Sequence, residues 1–308
     1  MTISKIQPEK KSTSPSVRTP DWPLIIFFGI AFLIPWSMIP VLSSIARQSG
    51  VSDWTVLSQM GEALDFSGAD LVVPGWVVYF ITRLQDFAFS IAGVIMIAYL
   101  YRRDGLAKLW QRLTHWQVGW RWYLAAFIPF GLYGLATVLS GSLSSFNLTI
   151  ATIGKILFSA EAGFLVYFFL RGAMGEELGL RGFALPRLQE SMSPFRASAV
   201  IGALWAAWHL PVLLGRDLIS VIAFLLLAFM LSFIFTWLFN GSKGSLLPVM
   251  IFHAAQNAEE IFEIVFPKLL EGDWELISSL ALLLIGLIIG IFLWRKQKNQ
   301  QPSLQENA

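Results

Sequence analysis

Ile156-Leu-Phe-Ser-Ala-Glu-Ala-Gly-Phe-Leu-Val-Tyr-Phe-Phe-Leu170 runs directly into Arg171-Gly-Ala-Met-Gly-Glu176-Glu177-Leu-Gly-Leu-Arg181. The first part is almost wholly apolar and reads as a membrane helix. The second places two adjacent carboxylates at its end. Charges at such depth are costly unless they pair or face a wet cavity, so the pair is a functional clue as well as a fold clue. On a helix, neighbouring side chains point about 100° apart, so the two acids have different tasks. Glu177 and Arg181 are four residues apart, acid first, which is the favourable order for an ion pair. Glu176 is then the free carboxylate.

The rest of the chain supports the membrane reading. Of 308 residues, 56% are hydrophobic and 14% charged, and mean hydropathy is +0.63. A soluble domain carries about a quarter charged residues. The deficit runs throughout, which excludes a soluble enzyme on a simple anchor. There is no cysteine, which excludes disulfides, thiolate metal sites and a cysteine nucleophile. Net charge is +2 with no basic stripe, so nothing points to nucleic acid.

At about 20 apolar residues per crossing, candidate spans run from Pro23 to Ala46, Val77 to Tyr101, Trp122 to Leu139, Ile156 to Met174, Ala197 to Leu214, Leu218 to Phe239, Leu246 to Phe266, and Leu276 to Trp294. Arg83 and Asp86 weaken the second, and Glu259, Glu260 and Glu263 weaken the seventh. The expectation is an all-α, polytopic membrane helix bundle of about eight transmembrane helices. Residues 1–21 and 296–308 are expected as disordered cytosolic tails, and 22–295 as a single transmembrane domain with its core at about 156–257. Lys and Arg gather in alternate links: Arg102, Arg103, Lys108 and Arg112; Arg181, Arg187 and Arg196; Lys243; and Arg295, Lys296 and Lys298. By the positive-inside rule, both termini are cytosolic. A bacterial plasma membrane is the expected location. Trp110, Trp116, Trp120 and Trp122 mark either an interfacial segment or an aromatic belt.

Two further motifs carry polar groups on apolar helices: Trp205-Ala-Ala-Trp-His209 and His253-Ala-Ala-Gln-Asn257. Each motif, read singly, has a plain alternative. The acids suit a juxtamembrane charge cluster, His209 a satisfied packing residue, and His253 with Asn257 an interhelical hydrogen-bonding pair. Depth favours a joint reading. His209 lies roughly 18 Å along its span, His253 roughly 10 Å and Asn257 roughly 16 Å, at 1.5 Å per residue. All fall in the same half of the bilayer as Glu176, on three helices.

Glu-Glu-x-x-x-Arg, aromatic-x-x-x-His and His-x-x-x-Asn, in that order, resemble the CPBP family of intramembrane proteases, over about Ile156 to Asn257. The family includes the CAAX-prenyl endopeptidases (type II CAAX proteases) and the bacteriocin-immunity (Abi) proteins. One departure is Trp205, where the family usually has Phe. The resemblance implies hydrolysis of a peptide bond in a membrane-associated, CAAX-type protein or peptide. In that reading Glu176 is the general base, His209 helps position water, His253 and Asn257 stabilise the oxyanion, and Glu177 and Arg181 support them. Glu176, His209 and His253 are also the candidate ligands of a divalent metal such as zinc, which takes three protein ligands in catalytic sites. The chain has no His-Glu-x-x-His, and a metal-free, glutamate-driven route is favoured. The alternatives are a non-catalytic membrane binding or immunity protein, and a transporter or proton relay. No paired broken helices or inverted repeat favour transport.

Overall fold

Inside a bilayer every backbone N–H and C=O must be satisfied within the chain, so apolar runs of this length form helices. The computed structural model describes residues 21–63, 65–139, 149–258 and 274–299, and among them there is no strand. In order, the helices are α1 (Trp22–Gln48), α2 (Trp54–Ala63), α3 (Gly75–Asp86), α4 (Ala88–Thr114), α5 (Trp120–Ala126), α6 (Ile128–Leu139) and α7 (Ile150–Phe169). Then follow α8 (Gly172–Gly179), a π-helical turn (Leu180–Ala184), α9 (Leu185–Gln189), α10 (Pro194–Trp208) and a 3-10 turn (Leu210–Leu213). The last are α11 (Leu218–Gly241), α12 (Leu247–Asn257) and α13 (Trp274–Asn299).

The all-helical membrane architecture is as expected, but among the described residues several of the expected spans are broken. Among the described residues four helical runs are long and apolar enough to cross a membrane: Trp22–Gln48, Ile153–Gln189, Leu218–Gly241 and Leu276–Asn299. A fifth arises if α3 and α4, bent by 60°, count as one. The physical reasons are local. The second expected span breaks at Phe87, beside Asp86. The third breaks at Phe127, because Pro129 lacks an N–H and crowds the carbonyl of Ala125. The fifth stops at Trp208, just before Pro211, which disfavours helix in the residue ahead of it. At 15 residues, α10 is roughly 23 Å long, short of the ~30 Å hydrocarbon core. The seventh is helical through Asn257, and the rest of it, with Glu259, Glu260 and Glu263, lies outside the described residues. At the C-terminal end, α13 continues through Lys296 to Asn299, into the stretch expected as a tail. Irregular backbone at membrane depth is tolerated only where protein or a watery cavity surrounds it. The broken ends therefore converge on the place where chemistry is possible.

The acid-bearing helix sits at the centre of the packing. α8 crosses α4 at unusually close range. A Cβ on Gly175 would lie 2.4 Å from the Asp86 carbonyl oxygen, and one on Gly179 would lie 2.0 Å from that of Phe89. Only glycine lets two backbones approach so closely, the usual device of membrane helix pairs. Ser90 Oγ seals the crossing by donating to the Met174 carbonyl at 2.7 Å. Phe27 of α1, with Phe89 and Phe183, fills the space beside it, the ring centres 6.1 and 5.2 Å from Phe27.

Candidate active site

Two acids leave α8 in different directions, as their helical offset requires. Glu177 and Arg181 are both fully buried. Arg181 Nη1 donates to both Glu177 oxygens at 3.0 Å. Its Nη2 reaches Ser232 Oγ at 3.4 Å, and Ser232 donates onward to the Ser198 carbonyl at 3.0 Å. The guanidinium also lies 4.7 Å from the ring centre of Phe235 and 5.6 Å from that of Trp205, a cation–π arrangement. The π-helical turn holds Arg181 itself, and such turns recur at functional sites.

Glu177 has a second partner that its spacing does not reveal. His253 Nδ1 lies 2.8 Å from Glu177 Oε1. A carboxylate accepts, so Nδ1 carries the proton and Nε2 is left pointing elsewhere. It points at Gly172: a Cβ there would lie 2.8 Å from His253 Nε2 and 3.0 Å from Asn257 Nδ2. Thus the imidazole tip and the amide of α12 sit side by side against the first residue of α8. Any larger residue at 172 would fill that space. The His253 ring stacks on Phe235, centroids 5.3 Å apart and 28° between planes, and meets Trp205 edge-on at 5.7 Å.

Glu176 is buried and accepts a hydrogen bond from Trp205 Nε1. The carboxylate expected to be free therefore has an indole donor. His209 joins the group through the same tryptophan, its Nδ1 donating to the Trp205 carbonyl at 2.8 Å. The ring lies among Trp205, Trp208 and Phe224, at 5.6, 4.8 and 5.1 Å. Among the described residues His209 makes no hydrogen bond to Glu176 or His253. The structure thus joins Glu177, Arg181 and His253 by hydrogen bonds, places Asn257 beside His253 at Gly172, and attaches Glu176 and His209 through Trp205.

The three expected metal candidates do not form a ligand set. Among the described residues no three His, Cys, Asp or Glu side chains gather in a way that would hold a metal ion. These residues do not fit a metal centre in this arrangement.

A second polar cluster, foreshadowed only by Arg83 and Asp86 inside an apolar run, pins the break between α7 and α8. Arg83 Nη1 lies 2.8 Å from Asp86 and donates to the Leu170 carbonyl at 2.7 Å. Arg171 Nε lies 3.9 Å from Asp86, and its Nη1 donates to Tyr167 at 2.5 Å. The spacing of Arg83 and Asp86, i and i+3, was the available signal. Their partners across the bundle had none.

The class defined by fold and site is an integral membrane protein with buried acid and imidazole side chains and an amide side chain at the broken ends of its helices. Residues 158–259 match the family described as "Type II CAAX prenyl endopeptidase Rce1-like", a stretch that holds every site residue named above except those of α3 and α4. The "CAAX prenyl protease 2" of Methanococcus maripaludis is 29% identical over 143 residues, covering 43% of this chain and 48% of that protein. The chain thus spans about half the length of the curated relative it matches. Both similarities support the CPBP/CAAX protease family and point to a protease.

Proposed function

We propose that the chain is a membrane endopeptidase that hydrolyses a peptide bond in a membrane-associated, CAAX-type protein or peptide, in the plasma membrane of a bacterium. The observation that carries this reading is a buried, indole-bound Glu176 on α8 one helical turn from Gly172, against which His253 Nε2 and Asn257 Nδ2 lie. Glu176 takes a proton from water as the water oxygen bonds to the scissile carbonyl carbon. The carbonyl oxygen becomes an oxyanion facing Asn257 Nδ2 and His253 Nε2, which donates when the ring carries a proton on both nitrogens. Glu176 then passes its proton to the amide nitrogen, the C–N bond breaks, and a carboxylic acid and an amine leave, the acid's proton passing to the amine as they reach water. His209, anchored on the Trp205 carbonyl, orders water beside the acid. Donors aimed at a developing oxyanion are each worth about 3–4 kcal/mol.

The test uses the full chain in nanodiscs with a farnesylated CAAX peptide and its unprenylated twin. Cleavage by wild type and its loss in Glu176→Gln is the expected result. His253→Ala is expected to lower kcat roughly 100- to 1,000-fold, the usual effect of removing an oxyanion donor. Undiminished cleavage in both variants overturns the reading. A Glu176→Gln variant that still complements a deletion strain favours a non-catalytic, partner-holding role instead.

A further inference from the structure

Away from the acids, a cavity of about 420 Å³ opens where the end of α4 meets the turn between α11 and α12, lined by Lys108, Gln111, Arg112, His115 and Lys243 among others. Lys108 and Arg112 are one helical turn apart and share a face, and His115 caps the same helix. Lys243 arrives from the other element. Lys108 and Lys243 are exposed. Among the described residues neither these lysines nor Arg112 has an acidic partner, and no carboxylate lines the cavity. The C-terminal dipoles of α4 and α11 offset part of the positive charge.

The backbone at Lys243 is informative. Its φ is +56°, in the left-handed region where glycine and asparagine sit most readily. A lysine there is held against its local preference. Trp110 and Trp116, 64% and 65% exposed, flank the cavity on the same segment, and exposed indoles of this kind mark the membrane–water interface. We infer that this cavity is a binding site for the phosphate group of an anionic membrane lipid. A headgroup phosphate at the interface accepts charge-assisted hydrogen bonds from Lys108, Arg112 and Lys243 together.

The cavity wall is built into the catalytic layer. Arg112 Nη1 donates to the Gly182 carbonyl at 2.7 Å, within the π-helical turn that carries Arg181. Leu246 N donates to the Arg112 carbonyl at 3.0 Å, and Ser245 Oγ to that of His115 at 2.6 Å, fixing the start of α12. A lipid bound here braces both the acid segment and the helix of His253. Binding itself is independent of whether the chain hydrolyses peptides.

The experiment places the full chain in nanodiscs of phosphatidylcholine, with or without one-third phosphatidylglycerol, and reads the thermal unfolding midpoint and the lipid retained by native mass spectrometry. The comparison variant is Lys108→Gln with Lys243→Asn, two exposed positions, the second keeping a residue suited to the left-handed turn. Wild type is expected to retain phosphatidylglycerol selectively and to unfold several degrees higher with it. The double variant, matching wild type in phosphatidylcholine alone, is expected to bind phosphatidylglycerol about 25-fold more weakly, roughly fivefold per basic residue. Equal stabilisation of the double variant overturns the proposal. So does inorganic phosphate reproducing the full shift in phosphatidylcholine discs, which identifies a free-anion site.

Discussion

Arg181 is fully buried, so its charge depends on Glu177, and Glu177 in turn faces His253. Removing one member strands a buried charge, which typically costs about 3–5 kcal/mol, whereas removing the pair together is much milder. Arg181→Met is therefore expected to lower the thermal unfolding midpoint sharply, and Arg181→Met with Glu177→Gln to recover much of it. Equal midpoints for Arg181→Met and wild type would contradict the pairing. Trp205 calls for a different test, because Trp205→Phe keeps the ring and deletes only the donor to Glu176. A hydrogen bond to a charged group is worth roughly 1.5–3 kcal/mol. If that bond aligns the carboxylate for reaction, kcat falls about ten- to a hundredfold with KM unchanged. A change confined to KM would instead place Trp205 at substrate binding. The Glu177–Arg181 pair was legible from its spacing of four. The indole donor was not, because sequence fixes which residues share a helical face but not which side chain of a neighbouring helix meets them.

Helix ends, more than helix middles, build this site. α10 stops at His209, α8 starts at Gly172, and α12 presents its polar pair within three turns of its start, so breaks in the helices bring the polar atoms together. Reading spans by apolar length merges α3 with α4 and α5 with α6, since hydropathy registers composition and not the local kinks at Phe87 and Phe127. The α4–α8 crossing makes the point testable. Gly179→Ala puts a Cβ 2.0 Å from the Phe89 carbonyl oxygen, an overpacking against backbone that cannot rotate away. Such insertions typically cost about 1–3 kcal/mol, and here the displaced helix carries Glu176, so cleavage is expected to fall with stability. In α6, a Cβ on Gly134 meets nothing within 4 Å. Gly134→Ala is expected to leave both properties intact, since alanine favours a helix over glycine by about 1 kcal/mol. Equal tolerance at the two glycines would mean that α4 and α8 do not cross as closely as described.

Across the whole molecule, the basic links meet at one end of the bundle. Arg187 Nε lies 2.8 Å from Asp21, ahead of α1, and Arg187 Nη1 donates to Tyr101 at 2.7 Å. Leu246 is bonded to Arg112, and Ser193 Oγ to Gln297 of α13. Four links that alternate along the sequence are thus neighbours in space, which is what an alternation of Lys- and Arg-rich loops requires even where the spans between them are broken. Charge in the links is independent of kinks within the helices, so the alternation stays readable where the spans between the links are broken. α11, at 24 residues, is roughly 36 Å long and exceeds the ~30 Å hydrocarbon core, so Arg216 and Lys243 belong on opposite faces. The chain has no cysteine of its own, so single cysteines report without background. In intact cells, a membrane-impermeant maleimide is expected to label Arg216→Cys. It should label Lys243→Cys and Lys298→Cys only after permeabilisation, which puts the basic end in the cytosol by the positive-inside rule. Labelling of all three from outside would show that α11 does not cross. The reverse pattern would place the basic end, and with it the lipid cavity, on the outer face.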